Sequence, residues 1–456
     1  MNRTWHDLIH GDHWRSDDPV WVEDDEEHSR REVDALAASV ERAVRAHGTA
    51  RVVLIRAGSK LGFFAGQLGV WRAGCAAVTD DGTLSPDELD RVRPGLTLSV
   101  HGDVTVTANT DTAAPDGALP EDMVSVNFTS GSTGSRKAVA VSRGNLLALF
   151  ACRGLRVPVD HRLTAGSFAT PAFDGWWFDT WCAVAAGGKV VCLPDVNEDV
   201  FEWPDLVRRH GVDRLLLPAA VVATLLDVLP EAIAGVPWLF SGGEQFHVST
   251  YRRAREAGLT SRFVNLYGPT EATFATHRYV LPDRFDRDTV PIGRPLDGCV
   301  ERLQAAGDRQ ELVVEGPFVC LGYLDRGVLA TRFDGRYRTG DLVWTDGGGD
   351  LVFAGRSDSR IKVNGTRVDA AALEHAVAGL PGVTACRVAQ HERHTIAFVQ
   401  LEPGVPGDEV RAPVEALVRG CSAAIAVDLV DSFPVKPGGK VDTAALLGRH
   451  LRTTGV

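Results

Sequence analysis

At 456 residues the chain is longer than one hydrophobic core usually supports, so two or more compact units are expected. Its formal net charge of −12 argues against sequence-independent binding to nucleic acid or to an anionic membrane surface. Eight scattered cysteines without metal-ligand spacing read as buried apolar residues in a reducing compartment. No run approaches the roughly 18 apolar residues of a spanning helix. The polar start lacks a signal-peptide core, so a soluble, cytoplasmic protein is expected.

Arg30 to Gly48 places Val33, Leu36, Ala37, Val40, Ala43 and Val44 close to one helical face. Arg51 to Ile55 reads as a buried strand, and KLGFFAGQLGVWRAGCAAV as a helix, a break at Gly74 and a further strand. This order predicts an open α/β sheet with helices on its faces. Residues 79–122 read as weaker strands and loops. The run VNFTSGSTGSRKAVAVSRGNL then sets Ser130, Gly131, Ser132, Thr133 and Gly134 between an apolar strand and Lys137, with a helix predicted over VSRGNLLALFACRGL. Further strands are expected at Asp213 to Pro218 and Phe263 to Tyr267, with a helix at Ala219 to Leu229. From Pro291 short strands bounded by glycine suggest an antiparallel unit. Beyond the polar turn at Ser357 to Ser359 a βαβ rhythm resumes, including a helix at Glu409 to Arg419. The expected fold is therefore multi-domain α/β: a large unit over 1–357 with α/β and β-rich parts, and a small α+β unit over 358–456.

The Ser/Gly loop suits phosphate. Without bulky side chains its amides can approach an oxyanion, Thr129, Ser130, Ser132 and Thr133 supply hydroxyls, and Lys137 adds charge. It is not a Walker loop, because Arg136 stands where that pattern requires glycine. Trp176, Trp177, Phe178 and Trp181 read mostly as core. Asp174 lies in the same apolar run, and a carboxylate there must stay solvated or meet a cation.

Five segments in register, TSGSTGSRKAV, NLYGPTEATF, YRTGDLV, GRSDSRIKVNGTRVD and PVKPGGKVD, resemble the adenylate-forming (ANL) superfamily. Within it they resemble the amino-acid-activating adenylation domains of nonribosomal peptide synthetases. The resemblance implies ATP and Mg²⁺ as cofactors. It implies a nucleotide site made by Thr129 to Gly134, Gly242, Gly243, Glu244, Asn265, Tyr267, Gly268, Asp341 and Arg356, with Tyr267 on adenine and Asp341 on the ribose hydroxyls. Thr270 would contact the α-phosphate, Glu271 would hold Mg²⁺, and Lys137 would hold the departing phosphates. Lys440 resembles the lysine that reaches the reacting carboxylate from a mobile small domain. Asp358 matches the hinge and Gly365 the glycine lining the thiol channel.

The same resemblance sets Asp174 against the substrate ammonium. It gives Gly175, Phe178 and Ala220 as one part of the lining, and Leu239, Ser241, Leu266, Phe274 and Ala275 as the rest. With no second charge among them, a neutral, mainly apolar amino acid is expected, transferred from its adenylate to the phosphopantetheine thiol of a separate carrier protein. A small activator protein is a further candidate partner. The alternatives are an acyl- or aryl-CoA ligase, which Asp174 argues against, and transfer to an amine or other acceptor. The chain departs from the family at Arg136, at Ala138 and at Arg143, and its first 120 residues are shorter than the family's usual amino-terminal region, so a compact variant is expected.

Overall fold

The computed structural model describes residues 4–48, 50–109, 119–129, 136–196, 199–306, 309–357, 360–363, 366–391, 394–422, 424–435 and 441–454. Two large sheets, of eight and nine strands, dominate the first 300 residues. The eight-stranded sheet has the parallel strands Val52–Ala57, Ala76–Thr79, Leu96–His101 and Met123–Thr129 at its centre. The nine-stranded sheet is likewise parallel through Lys189–Cys192, Thr164–Ser167, Arg214–Leu217, Trp238–Gly242 and Arg262–Tyr267. Parallel sheets of this kind must be covered on both faces, which matches their runs of Val, Leu and Ala.

The largest core joins the two sheets across the helices Arg30–Ala46 and Lys60–Arg72. The first is amphipathic and starts on a capping box between Ser29 and Glu32. The second is buried on every side from Gly62 to Arg72, so its lack of a polar face is the mark of an internal helix. Gly69 permits that position: a Cβ there would stand 2.5 Å from the Ala37 carbonyl oxygen of the neighbouring helix. Trp176 and Trp181 both donate to Gln67 Oε1, at 2.9 and 2.7 Å, and Trp177 donates to Asn127 Oδ1 at 2.9 Å. The aromatic run is therefore core, as expected, with its indole N–H groups satisfied.

One expectation is corrected around the Ser/Gly loop. Lys137–Ser142 is a strand, antiparallel to Met123–Thr129 with Thr129 opposite Lys137, and the helix begins only at Arg143. Ala138 to Ser142 are buried in the eight-stranded sheet, where β-branched Val139 and Val141 fit a pleated surface better than a helix. Residues 130–135 thus connect two sheet neighbours.

After residue 300 a four-stranded antiparallel sheet forms from Val300–Ala306, Arg309–Glu315, Arg336–Thr345 and Leu351–Arg356. Further on, the strands Val383–His391, His394–Leu401 and Ile425–Val430 pack with the helices Ala370–Ala378 and Gly407–Cys421 around a separate core of Leu373, Val377, Val399, Val414 and Val418. The predicted helix at 409–419 is this second one, two residues longer at each end.

Candidate active site

Lys137 lies at the base of the Ser/Gly hairpin, with Nζ 4.8 Å from the ring centroid of Tyr323. The Tyr323 hydroxyl donates to Glu271 Oε1 at 2.5 Å and stands 3.2 Å from the Tyr337 hydroxyl. Burial first, and Glu271 second, push both phenols well above their ordinary value, so they remain neutral donors. Lys137, Tyr323 and Glu271 thereby form one chain of contacts, and Tyr323, which the motif reading did not single out, is its centre. Of the loop residues, Thr129 is half-buried at the strand end, while Ser130, Gly131, Ser132, Thr133 and Gly134 lie outside the described residues.

Arg136 finds its explanation here. Its guanidinium grips Glu88 bidentately, at 2.6 and 2.7 Å, and also reaches the Thr83 carbonyl and hydroxyl. Burial raises the Glu88 pKa, but Arg136 and the Ser85 N–H outweigh it and bring it down to about 2. Arg136 thus ties the hairpin to the helix Pro86–Val92. Arg143 is exposed at a helix start and is no part of this cluster.

Asp341 and Arg356 are register partners on the four-stranded sheet, and Arg356 Nη1 donates to Asp341 Oδ1 at 2.9 Å. Tyr267, at the end of the strand Arg262–Tyr267, donates its hydroxyl to the other Asp341 oxygen. The strand thus delivers Tyr267 to the same carboxylate that the β-rich unit supplies. Asn265, two residues earlier, serves the scaffold instead: its amide donates to the Pro291 carbonyl at 2.8 Å.

Between these clusters runs the turn Gly268 to Ala275. A Cβ on Gly268 would lie 2.6 Å from the Phe274 carbonyl oxygen, so only glycine lets the turn fold back this tightly. Thr273 and Phe274 both adopt positive φ, 54° and 81°, a strained state for a bulky residue. The Thr273 hydroxyl holds it by donating to the Phe318 carbonyl at 2.6 Å. The Thr270 hydroxyl has no partner among the described residues.

Asp174 is half-buried, and its carboxylate makes no hydrogen bond or ion pair with any described residue. Five residues on, Asp179 is the opposite case: fully buried, it accepts from the Phe168 and Ala169 N–H groups at 3.1 and 2.7 Å and from the Thr180 hydroxyl at 2.9 Å. Burial raises its pKa to about 6, against Lys60 and these donors. Asp179 fixes the backbone and Asp174 is left over.

Phe178 packs on Phe274 at 5.6 Å and on Phe240 at 4.9 Å between ring centroids, and Gly175 sits against Leu216. Leu266 and Ala275 belong to the same core. The predicted pair Leu239 and Ser241 does not. Leu239 packs into the other core with Val221, Val222 and Leu225, and the pleat puts Ser241 on its face. Phe240 and Gly242 take the face toward Phe178. A one-residue slip inverts a strand, and here it exchanged the two sets. Ala220 is half-buried at the start of the helix Ala219–Val228, next to the second core.

Lys440, Asp358 and Gly365 lie outside the described residues. The neighbours of Lys440 are placed: Val441 pairs with Val435, and the Val441 N–H donates to Glu244 Oε1 at 3.2 Å, directly after the Gly242–Gly243 turn.

Residues 95–324, half the chain, match the family described as AMP-binding enzyme. The chain belongs to this family. It is 33% identical over 344 residues to the probable non-canonical nonribosomal peptide synthetase CymA of Salinispora arenicola, aligning 70% of this chain with 4% of that protein. It is 30% identical over 347 residues to an L-proline–L-prolyl-carrier protein ligase of Streptomyces coelicolor, aligning 71% of this chain and 65% of the ligase. The chain therefore spans less than two thirds of these relatives. The crystal structure of IdnL7 superimposes with a TM-score of 0.78 over 99% of this chain and all of that one, at 24% identity, a likeness of fold alone.

Proposed function

We propose that the chain activates a neutral, mainly apolar α-amino acid as its aminoacyl-AMP, with release of pyrophosphate, and passes it to the phosphopantetheine thiol of a carrier protein. The observation that carries this reading is Asp174, a carboxylate without a hydrogen bond or ion pair among the described residues, beside a wall whose described residues Phe178, Phe240, Phe274 and Leu216 carry no charge. An α-ammonium answers it, and an acid without an amine leaves it uncompensated. The relatives' names agree in kind, since one is a carrier protein ligase for an amino acid.

In this reading the substrate carboxylate oxygen attacks the α-phosphorus, the bond to the bridging oxygen breaks, and its electron pair leaves with pyrophosphate. The two reactants are anions that repel until neutralised, so the protein supplies charge and position. Asp341 takes the ribose hydroxyls, Tyr267 and the Gly242–Gly243 turn hold adenine, Thr270 offers its unpartnered hydroxyl to the α-phosphate, and Lys137 meets the departing phosphates. Mg²⁺ fits Glu271, a buried carboxylate whose Oε1 accepts from Tyr323, and when bound would neutralise phosphate charge. Lys440 would reach the reacting oxygens from a small unit hinged at Asp358. Its neighbour Val441, bonded to Glu244, supports that approach.

Pyrophosphate exchange into ATP, run across amino acids and amine-free carboxylic acids, tests the proposal. Exchange is expected with an amino acid, with losses of about 10²-fold in Asp174→Ala and a larger loss in Lys440→Ala. Exchange confined to amine-free acids, or unchanged amino acid preference in Asp174→Ala, rejects it.

A further inference from the structure

Four features bear on how large a side chain the Asp174 wall admits. Phe178 is fully buried, and its ring is held by Phe240 and Phe274 and by the Arg214 guanidinium, 4.3 Å from the ring centroid. Arg214 also donates to the Phe178 carbonyl at 2.7 Å, fixing the ring's backbone as well. The positive-φ turn fixes the direction in which the Phe274 side chain leaves the backbone, and its ring stacks on Phe178. Beside Gly175 not even a methyl fits without a neighbour giving way: a Cβ added there would stand 3.3 Å from both Ala169 Cβ and Leu216 Cδ2.

A wall closed by the Phe178 ring, the two rings packed on it and a leucine has little depth to offer. Resting on the function proposed above, we infer that the site selects a small uncharged side chain of the glycine or alanine scale, and that Phe240 and Leu216 set the limit. Both lie outside the set that the motif comparison gave, which named Leu239 and Ser241 instead. Larger side chains must displace a ring that has no room to move, since interiors are packed at crystal density. The rings and the leucine that close the wall are hydrocarbon, so size decides there and hydrogen bonding does not.

The test measures amino-acid-dependent pyrophosphate release for glycine, alanine, valine, leucine and phenylalanine, with benzoate as an amine-free acid. The parent should favour glycine or alanine over leucine in kcat/KM by about 10²-fold, the scale on which apolar pockets discriminate. Phe240→Ala should raise leucine relative to alanine by at least about tenfold, and Leu216→Ala should do so to a smaller extent. Should these variants fail to fold, the parent still decides by its relative affinity for alanyl and leucyl sulfamoyl-adenosine, expected to differ in the same sense. A parent that prefers leucine or phenylalanine overturns the size limit and leaves amino acid activation standing. Turnover of benzoate alone overturns both.

Discussion

Asp341 and Asp174 are both carboxylates at the edge of buried space, and their surroundings differ completely. Asp341 is held by Tyr267 and Arg356, whereas Asp174 makes no hydrogen bond or ion pair with any described residue. The first sits in a prewired polar cluster, as suits the unchanging ribose proposed as its partner. The second stands against a wall whose shape is fixed by packing. Common chemistry is thus written in charges and hydrogen bonds, and individual choice in side-chain volume. Substitutions on the Asp341 side should slow activation of every acid alike, while those on the Asp174 side should reorder the acids.

Asp341→Asn is the most damaging of the polar changes. It weakens a charge-assisted pair with Arg356 and the acceptor proposed for the two vicinal ribose hydroxyls, so kcat/KM for ATP should fall by about 10²-fold or more. The ranking of amino acids, measured by pyrophosphate exchange, should not move. A changed ranking would dissolve the distinction between the two sides.

The polar side was also the legible one. Tyr267, Glu271, Asp341 and Arg356 stand in short motifs whose glycines and charges have few other uses, and the structure brings them into two adjoining clusters. The apolar side was read less well for a physical reason. WLFSG gives no internal sign of which residues face the helices and which face Phe178, because a doubly covered parallel strand is apolar on both faces. The strand Lys137–Ser142 was hidden by its short length and by the helix that follows it. Asp179 escaped notice because two aspartates in one aromatic run look equivalent until one is seen to bind the Phe168 and Ala169 N–H groups. Tyr323 lies far from Glu271 in sequence and meets it only through folding.

Arg136 offers the next test, since it acts through what it holds. Arg136→Ala should free the end of the hairpin and raise the KM for ATP about tenfold, with a smaller effect on kcat. Arg136→Lys, which keeps charge but loses the bidentate grip on Glu88, should recover part of that loss. Equal effects on the KM for ATP and for the amino acid would mean that the pair merely stabilises the fold. Tyr323→Phe removes one hydrogen bond to Glu271 and should change the KM for Mg²⁺-ATP by only about threefold.

The smallest effect should come from a place that touches neither side. His375, on the helix Ala370–Ala378, accepts from Gln245 Nε2 through Nδ1 at 2.9 Å, which leaves Nε2 protonated and facing the Thr289 hydroxyl at 3.1 Å. The ring is therefore neutral, and burial holds its pKa below the usual histidine value. Nearby His247 is brought down to about 4, first by burial and then by His375 and Arg387. In both cases the unfolded chain takes up protons that the folded chain refuses. The stability they confer is present in full above pH 6.5 and is lost as pH falls from there toward 4. Calorimetry should show Tm dropping by roughly 5 °C between pH 7 and pH 5, and His247→Asn should flatten that slope. Because Gln245 directly follows Glu244, weakening this contact should lower activation of every amino acid in proportion, leaving both Asp341 and the Phe240 wall as they were.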